Sequence, residues 1–155
     1  MRRDLLFLKD IINAMNKIFN YTEKMTKEEF KKDDRTIDAV LRNIEIIGEA
    51  ANKLSKKIYK ENESVPWGRM IGLRNIVIHE YFGVDLNIIW QVITVNLPET
   101  KPKIEEILKE ISWFTIIIKF LLNFKKIRTS SNRVFPLSDM PSVMMFAGVT
   151  DDINR

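Results

Sequence analysis

The sequence predicts an all-α protein, and three observations support this fold class. Apolar residues recur at intervals of three and four over long stretches, as they do on the buried face of an amphipathic helix. The 155 residues include only five glycines and five prolines, so these stretches contain few helix breakers. No alternation of apolar and polar residues, which would indicate a half-buried strand, occurs before residue 112. We therefore expect one domain over residues 1–112, built as an antiparallel bundle of about five helices.

Two long amphipathic helices are predicted in the first half of this domain. The first covers residues 4–24, and the second follows Asp33 and Asp34, whose charges suit a positive helix N-terminus. Between them, Thr26 and Glu29 have the spacing of a capping box, which indicates a short helical turn. The predicted apolar stripes are Leu5, Leu8, Ile12, Met15 and Phe19, with Ile11 and Ile18 beside them, and Ile37, Val40, Ile44, Ile47, Ala51, Leu54 and Ile58.

Three further helices are predicted before residue 112. One runs from about Pro66 to Glu80, because proline is well tolerated in the first turn of a helix. Another begins after Asp85, a suitable N-cap residue, and ends near Asn96. Residues 97–102 include two prolines and are expected to break the helical pattern. The last predicted helix then carries the apolar residues Ile104, Ile107, Leu108 and Ile111.

Residues 113–155 differ in character and are predicted to form a C-terminal extension. From Trp113 to Phe124 the chain is apolar on almost all sides, which predicts a continuation of the last helix that packs against a partner. This stretch is shorter than the roughly 20 residues needed to cross a bilayer, so no membrane span is expected. From Lys125 onward the apolar residues show no regular spacing, and we expect an irregular, poorly ordered segment. An interface segment is the alternative.

The formal net charge of +4 is unevenly distributed. Residues 1–112 carry 19 Lys and Arg against 18 Asp and Glu, whereas residues 113–155 carry 6 against 3. Because most of the basic excess lies in the extension, the net charge is weak support for a nucleic-acid partner. The absence of cysteine excludes a disulfide framework and a thiolate metal site. Charged residues interrupt the apolar start of the chain, unlike a signal peptide, and a cytoplasmic location is expected.

The helix predicted to begin near Pro66 carries the only histidine of the chain, His79. Histidine is the side chain whose unperturbed pKa suits acid–base chemistry near neutral pH. Arg74 precedes it by five residues and Asn75 by four, and Tyr81 follows it by two. On a helix, Asn75 and His79 are i,i+4 neighbours, so these four polar residues can line one patch.

An arginine near an imidazole suits the chemistry of a phosphodiester. The guanidinium can bind the non-bridging phosphate oxygens in a fork, and the imidazole can transfer protons. RNA supplies its own nucleophile in the 2′-OH group, so its cleavage requires no metal ion and no covalent enzyme nucleophile. The sequence contains no dense cluster of potential metal ligands, and we expect no cofactor.

Each candidate also has a purely structural interpretation. A lone histidine near a helix C-terminus is often stabilised by the helix dipole, and Tyr81 is typical of a core or interface aromatic. Asn43 and Glu49 lie among other polar residues of the second long helix, which fits an exposed charged face. The functional alternative is that Glu49 or Asn43 reaches the patch and orients Arg74.

The pattern Arg74-x4-His79-x-Tyr81 resembles the R-x4-H-x-Y motif of HepT-like toxins, a branch of the HEPN superfamily. Two neighbouring parts of the chain resemble the same family: residues 36–51 are similar to its second-helix block, and residues 65–85 to its third helix and the loop that follows. The resemblance covers roughly residues 1–112, so the extension departs from the family pattern.

The resemblance implies a HEPN-type helical bundle that forms a homodimer, with two Arg–His motifs facing one cleft. It implies a metal-independent endoribonuclease in a type VII-like toxin–antitoxin pair, in which Arg74 stabilises phosphate charge, His79 transfers protons and Asn75 supports them. The implied partner is an MntA-like minimal nucleotidyltransferase antitoxin that adenylylates Tyr81, and the resemblance extends to a higher assembly with it. An AMP group on Tyr81 would place negative charge and bulk where an RNA phosphate must bind.

A second class of function stays open from the sequence alone. The chain could be a non-catalytic dimeric helical module whose role is to bind a nucleotidyltransferase, and the near-neutral charge of residues 1–112 favours this alternative. A nuclease assay in the presence of EDTA separates the two.

Overall fold

A computed structural model describes residues 2–79 and 83–130 of the chain. Within these ranges the chain forms seven α-helices and one π-helical turn, without any β-strand. The all-α class predicted from the apolar periodicity is confirmed. The helices are α1 (Arg2–Thr22), α2 (Lys27–Phe30), α3 (Asp34–Asn52), α4 (Lys56–Glu61), α5 (Trp67–His79), α6 (Leu86–Gln91) and α7 (Leu97–Ser130), and the π-helical turn, Val92–Asn96, lies between α6 and α7.

Helix α3 packs along both α1 and α5 and forms the centre of the core. The buried face of α1 is centred differently from the predicted stripe, because Ile11 and Ile18, predicted to lie beside it, are completely buried, whereas Ile12 and Phe19 are only partly buried. In α3 the predicted alternation of three and four residues is confirmed. Its buried apolar side chains are Val40, Leu41, Ile44, Ile47, Ala50 and Ala51.

The predicted capping box before α2 is confirmed. The Thr26 hydroxyl accepts a hydrogen bond from the Glu29 backbone N–H at 3.3 Å, and the Glu29 carboxylate accepts one from the Thr26 N–H at 2.7 Å. The two bonds satisfy backbone donors that a helix N-terminus otherwise leaves free. This turn places Phe30, which is completely buried, against the ring of Trp90 with 5.4 Å between ring centroids.

The prediction that the second long helix continues to about Ile58 is wrong. Helix α3 ends at Asn52, and Ile58 belongs to the separate helix α4. The physical reason is a contact that is distant in sequence. The backbone N–H of Ser55 donates to the Asp4 carboxylate of α1 at 2.8 Å instead of to a carbonyl of its own helix. Because the apolar period runs on through the break, periodicity alone does not reveal it.

The predicted break at residues 97–102 is also wrong, since the helical path continues through both prolines. The N–H of Leu97 donates to the carbonyl of Val92, five residues earlier, in the widened spacing of a π-helix. Pro98 follows as the second residue of α7, a position where a missing N–H is tolerated. Pro102 lies inside α7. The π-helical turn leads directly into Pro98, and the helix continues through Pro102.

Helix α7 continues past residue 112, as the apolar stretch predicted. It also includes residues 125–130, where an irregular segment was expected. These residues contain neither glycine nor proline, so the backbone can remain helical without an apolar period. The chain divides into two units, Met1–Thr115 and Ile116–Arg155. The predicted domain boundary at residue 112 stays a prediction, and the prediction for residues 131–155 lies outside the described residues.

Large apolar side chains of α7 lie on its surface. Trp113 and Phe114 are about half exposed, and Ile116, Ile117 and Ile118 are exposed as well. The expectation that this stretch packs against a partner stays a prediction. Of the helices described, none is both long enough and apolar enough to span a membrane.

The Asp33 cap at the N-terminus of α3 makes the stability of the fold depend on pH, and this dependence can be tested. The carboxylate of Asp33 accepts hydrogen bonds from the Thr36 hydroxyl at 2.7 Å and the Thr36 N–H at 3.2 Å, and these bonds lower the pKa of Asp33. A lowered pKa in the folded state stabilises the fold above the ordinary carboxyl pKa, and this contribution is lost as the pH falls through the folded-state value. We expect Asp33→Ala to lower the melting temperature by a few degrees at pH 7.

The difference between Asp33→Ala and the wild type should shrink in melting curves recorded at successively lower pH below about 4. Asp34→Ala is the matched control, since it removes the neighbouring first-turn carboxylate and leaves the Asp33 cap intact. An equal loss in both variants at all pH values would contradict the capping explanation.

Candidate active site

The start of α5 is anchored by its first residue, Trp67. This side chain is buried, and its indole N–H donates to the Asn62 carbonyl at 3.0 Å. Its ring meets that of Tyr59 edge to face, with 5.8 Å between centroids. The Tyr59 hydroxyl donates in turn to the Ala51 carbonyl of α3 at 2.6 Å. These contacts fix α5 relative to α3, and the fixed position of α5 determines where its polar side chains lie.

Arg74 occupies a position of α5 where an apolar residue would be expected. The buried residues of the helix are Trp67, Met70 and Val77, and position 74 continues their spacing of three and four. The side chain of Arg74 therefore begins between α5 and α3 and is only 29% exposed. Placing a cation there does not serve packing, because burying a charge is unfavourable unless it is paired.

Both terminal nitrogens of the Arg74 guanidinium donate hydrogen bonds. One terminal nitrogen (Nη2) donates to the Glu49 carboxylate at 2.9 Å, and the other (Nη1) donates to the Asn75 side-chain oxygen at 2.9 Å. The Nε atom is buried and has no hydrogen-bond partner among the described residues. A guanidinium whose two terminal nitrogens are hydrogen-bonded is pre-oriented, so it loses little conformational freedom when it binds an anion.

The Glu49 carboxylate forms ion pairs with two cations, Arg74 and Lys53. Its second oxygen lies 3.0 Å from the ammonium group of Lys53, one turn later on α3. The hydrogen bond from Lys53 and its positive charge, together with the charge of Arg74, lower the pKa of Glu49. Glu49 is therefore ionised at neutral pH and neutralises part of the charge of Arg74.

Gly48, which the sequence reasoning did not select, allows α3 and α5 to approach closely beside Arg74. A Cβ atom at this position would overlap the Cβ of Arg74 and lie 2.8 Å from the Met70 carbonyl oxygen. The sequence did contain a signal. Gly48 lies in the interior of a long helix, where glycine is less favourable than alanine by about 1 kcal/mol, so its presence calls for a packing or functional reason.

A cavity of about 260 Å³ opens beside the Arg74–Glu49 pair. It lies where α1, α3 and α5 meet, and its walls combine apolar and charged side chains. One arginine on its rim, Arg42, is paired with Glu45 at 2.7 Å. Arg74 therefore borders a space in which a ligand can reach it. The lining residues are Phe7, Asp10, Arg42, Glu45, Ile46, Glu49, Ala50, Lys53, Arg74 and Ile78.

His79 is the last described residue of α5, and its side chain is exposed. Five residues along a helix correspond to about 140° of rotation, so Arg74 and His79 leave α5 in different directions. In the part of the chain that is described, no hydrogen bond joins the two side chains. Asn75, also exposed, lies between them: it binds Arg74 and is one helical turn before His79. Within the described residues, the predicted pair is therefore not joined by a direct hydrogen bond.

The remaining candidates are placed as follows. Asn43 is buried on α3, where its amide donates to the Ala39 carbonyl at 2.7 Å, and it makes no hydrogen bond to Arg74 within the described ranges. Its predicted supporting role stays a prediction. Tyr81, the predicted modification site, lies outside the described residues. No group of three or more potential metal ligands is found among residues 2–79 and 83–130.

The chain is an all-α bundle. A partly buried arginine, Arg74, and an exposed histidine, His79, lie on one of its helices in R-x4-H spacing. A family model described as ribonuclease HepT-like matches residues 11–107. The chain belongs to the HepT-like ribonuclease family.

Several similar proteins carry names that describe them as ribonucleases. Two proteins of Methanocaldococcus jannaschii, each named "Putative RNase", are 42% identical over 105 residues and 39% identical over 111 residues. The matches cover 68% and 71% of this chain, and 87% and 92% of those proteins. "Probable ribonuclease HepT" of Thermococcus cleftensis is 35% identical over 103 residues, which is 66% of this chain and 94% of that protein. No solved structure matches the chain.

Proposed function

We propose that this protein is a metal-independent endoribonuclease that acts as the toxin of a type VII-like toxin–antitoxin pair in the cytoplasm. The observation that carries the proposal is the orientation of Arg74, held by Glu49 and Asn75 at the edge of an open cavity, in a chain of the HepT-like ribonuclease family. A charge that stability alone would disfavour at this position is explained if it binds an anionic substrate.

The proposed reaction is a transesterification. The 2′-OH of RNA attacks the adjacent phosphorus, a bond forms from the 2′-oxygen to phosphorus, and the bond from phosphorus to the 5′-oxygen breaks. Arg74 stabilises the additional negative charge on the non-bridging oxygens. His79 moves the proton that leaves the 2′-OH and reaches the departing 5′-oxygen. The products are a 2′,3′-cyclic phosphate and a 5′-OH end, and no water or metal ion takes part in this step.

The proposal includes a homodimer with two Arg74–His79 pairs at one cleft. Its support is geometric: within a subunit the two side chains leave α5 in different directions, so a pair is completed more easily by His79 of a second copy. Ile76 and Ile78, on the same helix, are each more than 40% exposed. Large apolar side chains at a protein surface favour a contact that covers them.

Removal of either proposed catalytic side chain tests the reaction. We expect Arg74→Ala and His79→Ala each to lower the cleavage rate by about 100-fold or more, because charge stabilisation and proton transfer each contribute factors of that order. Cleavage of a labelled RNA by the purified proteins, with EDTA present, measures the rate. Arg42→Ala is the matched control, since it removes another arginine from the same cavity. Undiminished cleavage by Arg74→Ala or His79→Ala would contradict the mechanism.

Mixing the two inactive variants tests whether the pair is formed between subunits. In a mixed dimer of Arg74→Ala and His79→Ala, one of the two inter-subunit pairs combines two mutated groups, and the other combines an intact arginine with an intact histidine. We expect activity to reappear after the two proteins are unfolded and refolded together. If both groups act within one subunit, each Arg–His pair of the mixed dimer lacks one of them and the mixture stays inactive.

Adenylylation of Tyr81 is the proposed means of neutralisation. The proposed partner is an MntA-like minimal nucleotidyltransferase, with which the toxin can form a larger assembly. Tyr81 follows His79 by two residues, so an attached AMP would bring a negative charge close to the position proposed for the RNA phosphate. Repulsion between the two phosphates and the bulk of the nucleotide would exclude the substrate.

Intact-mass analysis tests this modification. Incubation with ATP, magnesium and the partner enzyme should add one or more AMP units to the wild type, and RNA cleavage should fall in parallel. Tyr81→Phe should gain no mass, whereas Tyr21→Phe, which changes an exposed tyrosine of α1, should be modified as the wild type is. Modification of Tyr81→Phe to the full extent would exclude Tyr81 as the site.

A second candidate function is a non-catalytic dimeric module that binds a nucleotidyltransferase. It is favoured by the near-neutral charge of residues 1–112, since RNA-binding surfaces are usually strongly basic. Wild-type protein that binds the partner and leaves RNA intact under all conditions would support this alternative.

A further inference from the structure

We propose that Gly48 is a positioning residue for Arg74: its missing side chain lets α3 approach α5 closely enough for the Glu49 carboxylate to fix the guanidinium. The catalytic consequence of this inference rests on the proposed ribonuclease function. The positioning itself is a property of the two helices and can be measured without RNA.

The first step of the argument is a comparison of three glycines in helices. A Cβ atom at Gly68 or Gly72, both on α5, would meet nothing within 4 Å. At Gly48 it would overlap the Cβ of Arg74 and approach the Met70 carbonyl oxygen to 2.8 Å. Alanine is the better helix former, so only at Gly48 does a close contact explain why glycine is needed.

The second step concerns the atoms that a methyl group would meet. The Cβ of Arg74 and the carbonyl of Met70 are fixed to the backbone of α5, so neither can rotate away as the end of a long side chain can. An added Cβ would have to be accommodated by separating the two helices locally, by roughly 1 Å, because packed interiors have no spare volume.

The third step connects that displacement to the site. Glu49 is the next residue on α3, and its bond to Arg74 measures 2.9 Å. A separation of the helices at Gly48 therefore lengthens this bond beyond hydrogen-bonding distance, and Asn75 becomes the remaining partner of the guanidinium. Misplacement of a catalytic group by about 1 Å can lower a reaction rate by a factor of about 100.

The experiment compares Gly48→Ala with Gly68→Ala, which adds the same methyl group to a helix where space is open. We expect Gly48→Ala to lower kcat for RNA cleavage by about 10- to 100-fold with little change in KM, and Gly68→Ala to cleave like the wild type. Both variants should keep the helical circular dichroism of the wild type. Equal kcat in the two variants would overturn the inference, and so would loss of the folded state in Gly48→Ala, which would make Gly48 a packing residue only.

A double-mutant cycle with Glu49→Gln separates positioning from a general effect on the fold. In the wild-type background, Glu49→Gln should reduce kcat, because the amide holds the guanidinium less strongly than a carboxylate does. In the Gly48→Ala background the same change should have little further effect, since the bond is already broken. Fully multiplicative effects of the two substitutions would mean that they act independently and would contradict the proposal.

A measurement on Arg74 itself distinguishes failure of this inference from failure of the proposed function. The Nε–H group of Arg74 is buried, so its NMR signal should be protected from exchange with water in the wild type and in Gly68→Ala. It should broaden or shift in Gly48→Ala. A wild type without nuclease activity but with this pattern would refute the ribonuclease and retain the positioning role; an unchanged signal in Gly48→Ala would refute the positioning role.

Discussion

The close approach of α3 and α5 at Gly48 is the constraint on which the rest of the candidate site depends. It allows Arg74 to begin on the buried face of α5 and to end against Glu49, a residue on another helix. A glycine on α3 and an arginine on α5 are each unfavourable for the stability of an ordinary helix pair. Together they place a cation at a fixed point beside a cavity. Two unfavourable choices that compensate each other at one contact are typical of a functional site rather than of a structural core.

The surrounding contacts serve the same geometry. Trp67 and Tyr59 fix the start of α5 against α3, about two helical turns before Arg74. Lys53 shares Glu49 with Arg74, so the carboxylate remains ionised and partly neutralised when an anion approaches. The cavity is lined by three acidic and three basic side chains, so the site is balanced in formal charge before a ligand binds. Under the proposed function, affinity for an RNA phosphate would come from the orientation of the guanidinium more than from the overall field, which agrees with the low net charge of residues 1–112.

The parts of the fold that the sequence predicted correctly are those governed by local rules. The apolar period predicted α1 and α3, and the spacing of Thr26 and Glu29 predicted the capping box. The errors arose where a distant or unusual contact decided the outcome. The Asp4–Ser55 bond joins residues 51 positions apart and ends α3, and a π-helical turn carries the chain into Pro98.

The same distinction applies to the site. Motif spacing selected Arg74 and Asn75 as candidates, and the glycine inside a long helix gave a signal at position 48, but the close contact between Gly48 and Arg74 becomes visible only when α3 is placed against α5. Glu49 was considered as a partner of Arg74 from the sequence, but its 2.9 Å bond depends on packing between residues 25 positions apart.

The contrast between Arg74 and His79 bears on how such an enzyme is controlled. Arg74 is fixed within its own subunit by two hydrogen bonds, whereas His79 lies exposed at the end of the described helix. Under the proposed function, a catalytic pair divided in this way would be inactive until a second subunit brings the histidine to the phosphate, so the proposed activity would depend on assembly. Under the same proposal, the exposure of His79 would leave the end of α5 open to a modifying enzyme. Under the proposed function, the features that let a second subunit complete the site are therefore the features that let an antitoxin disable it.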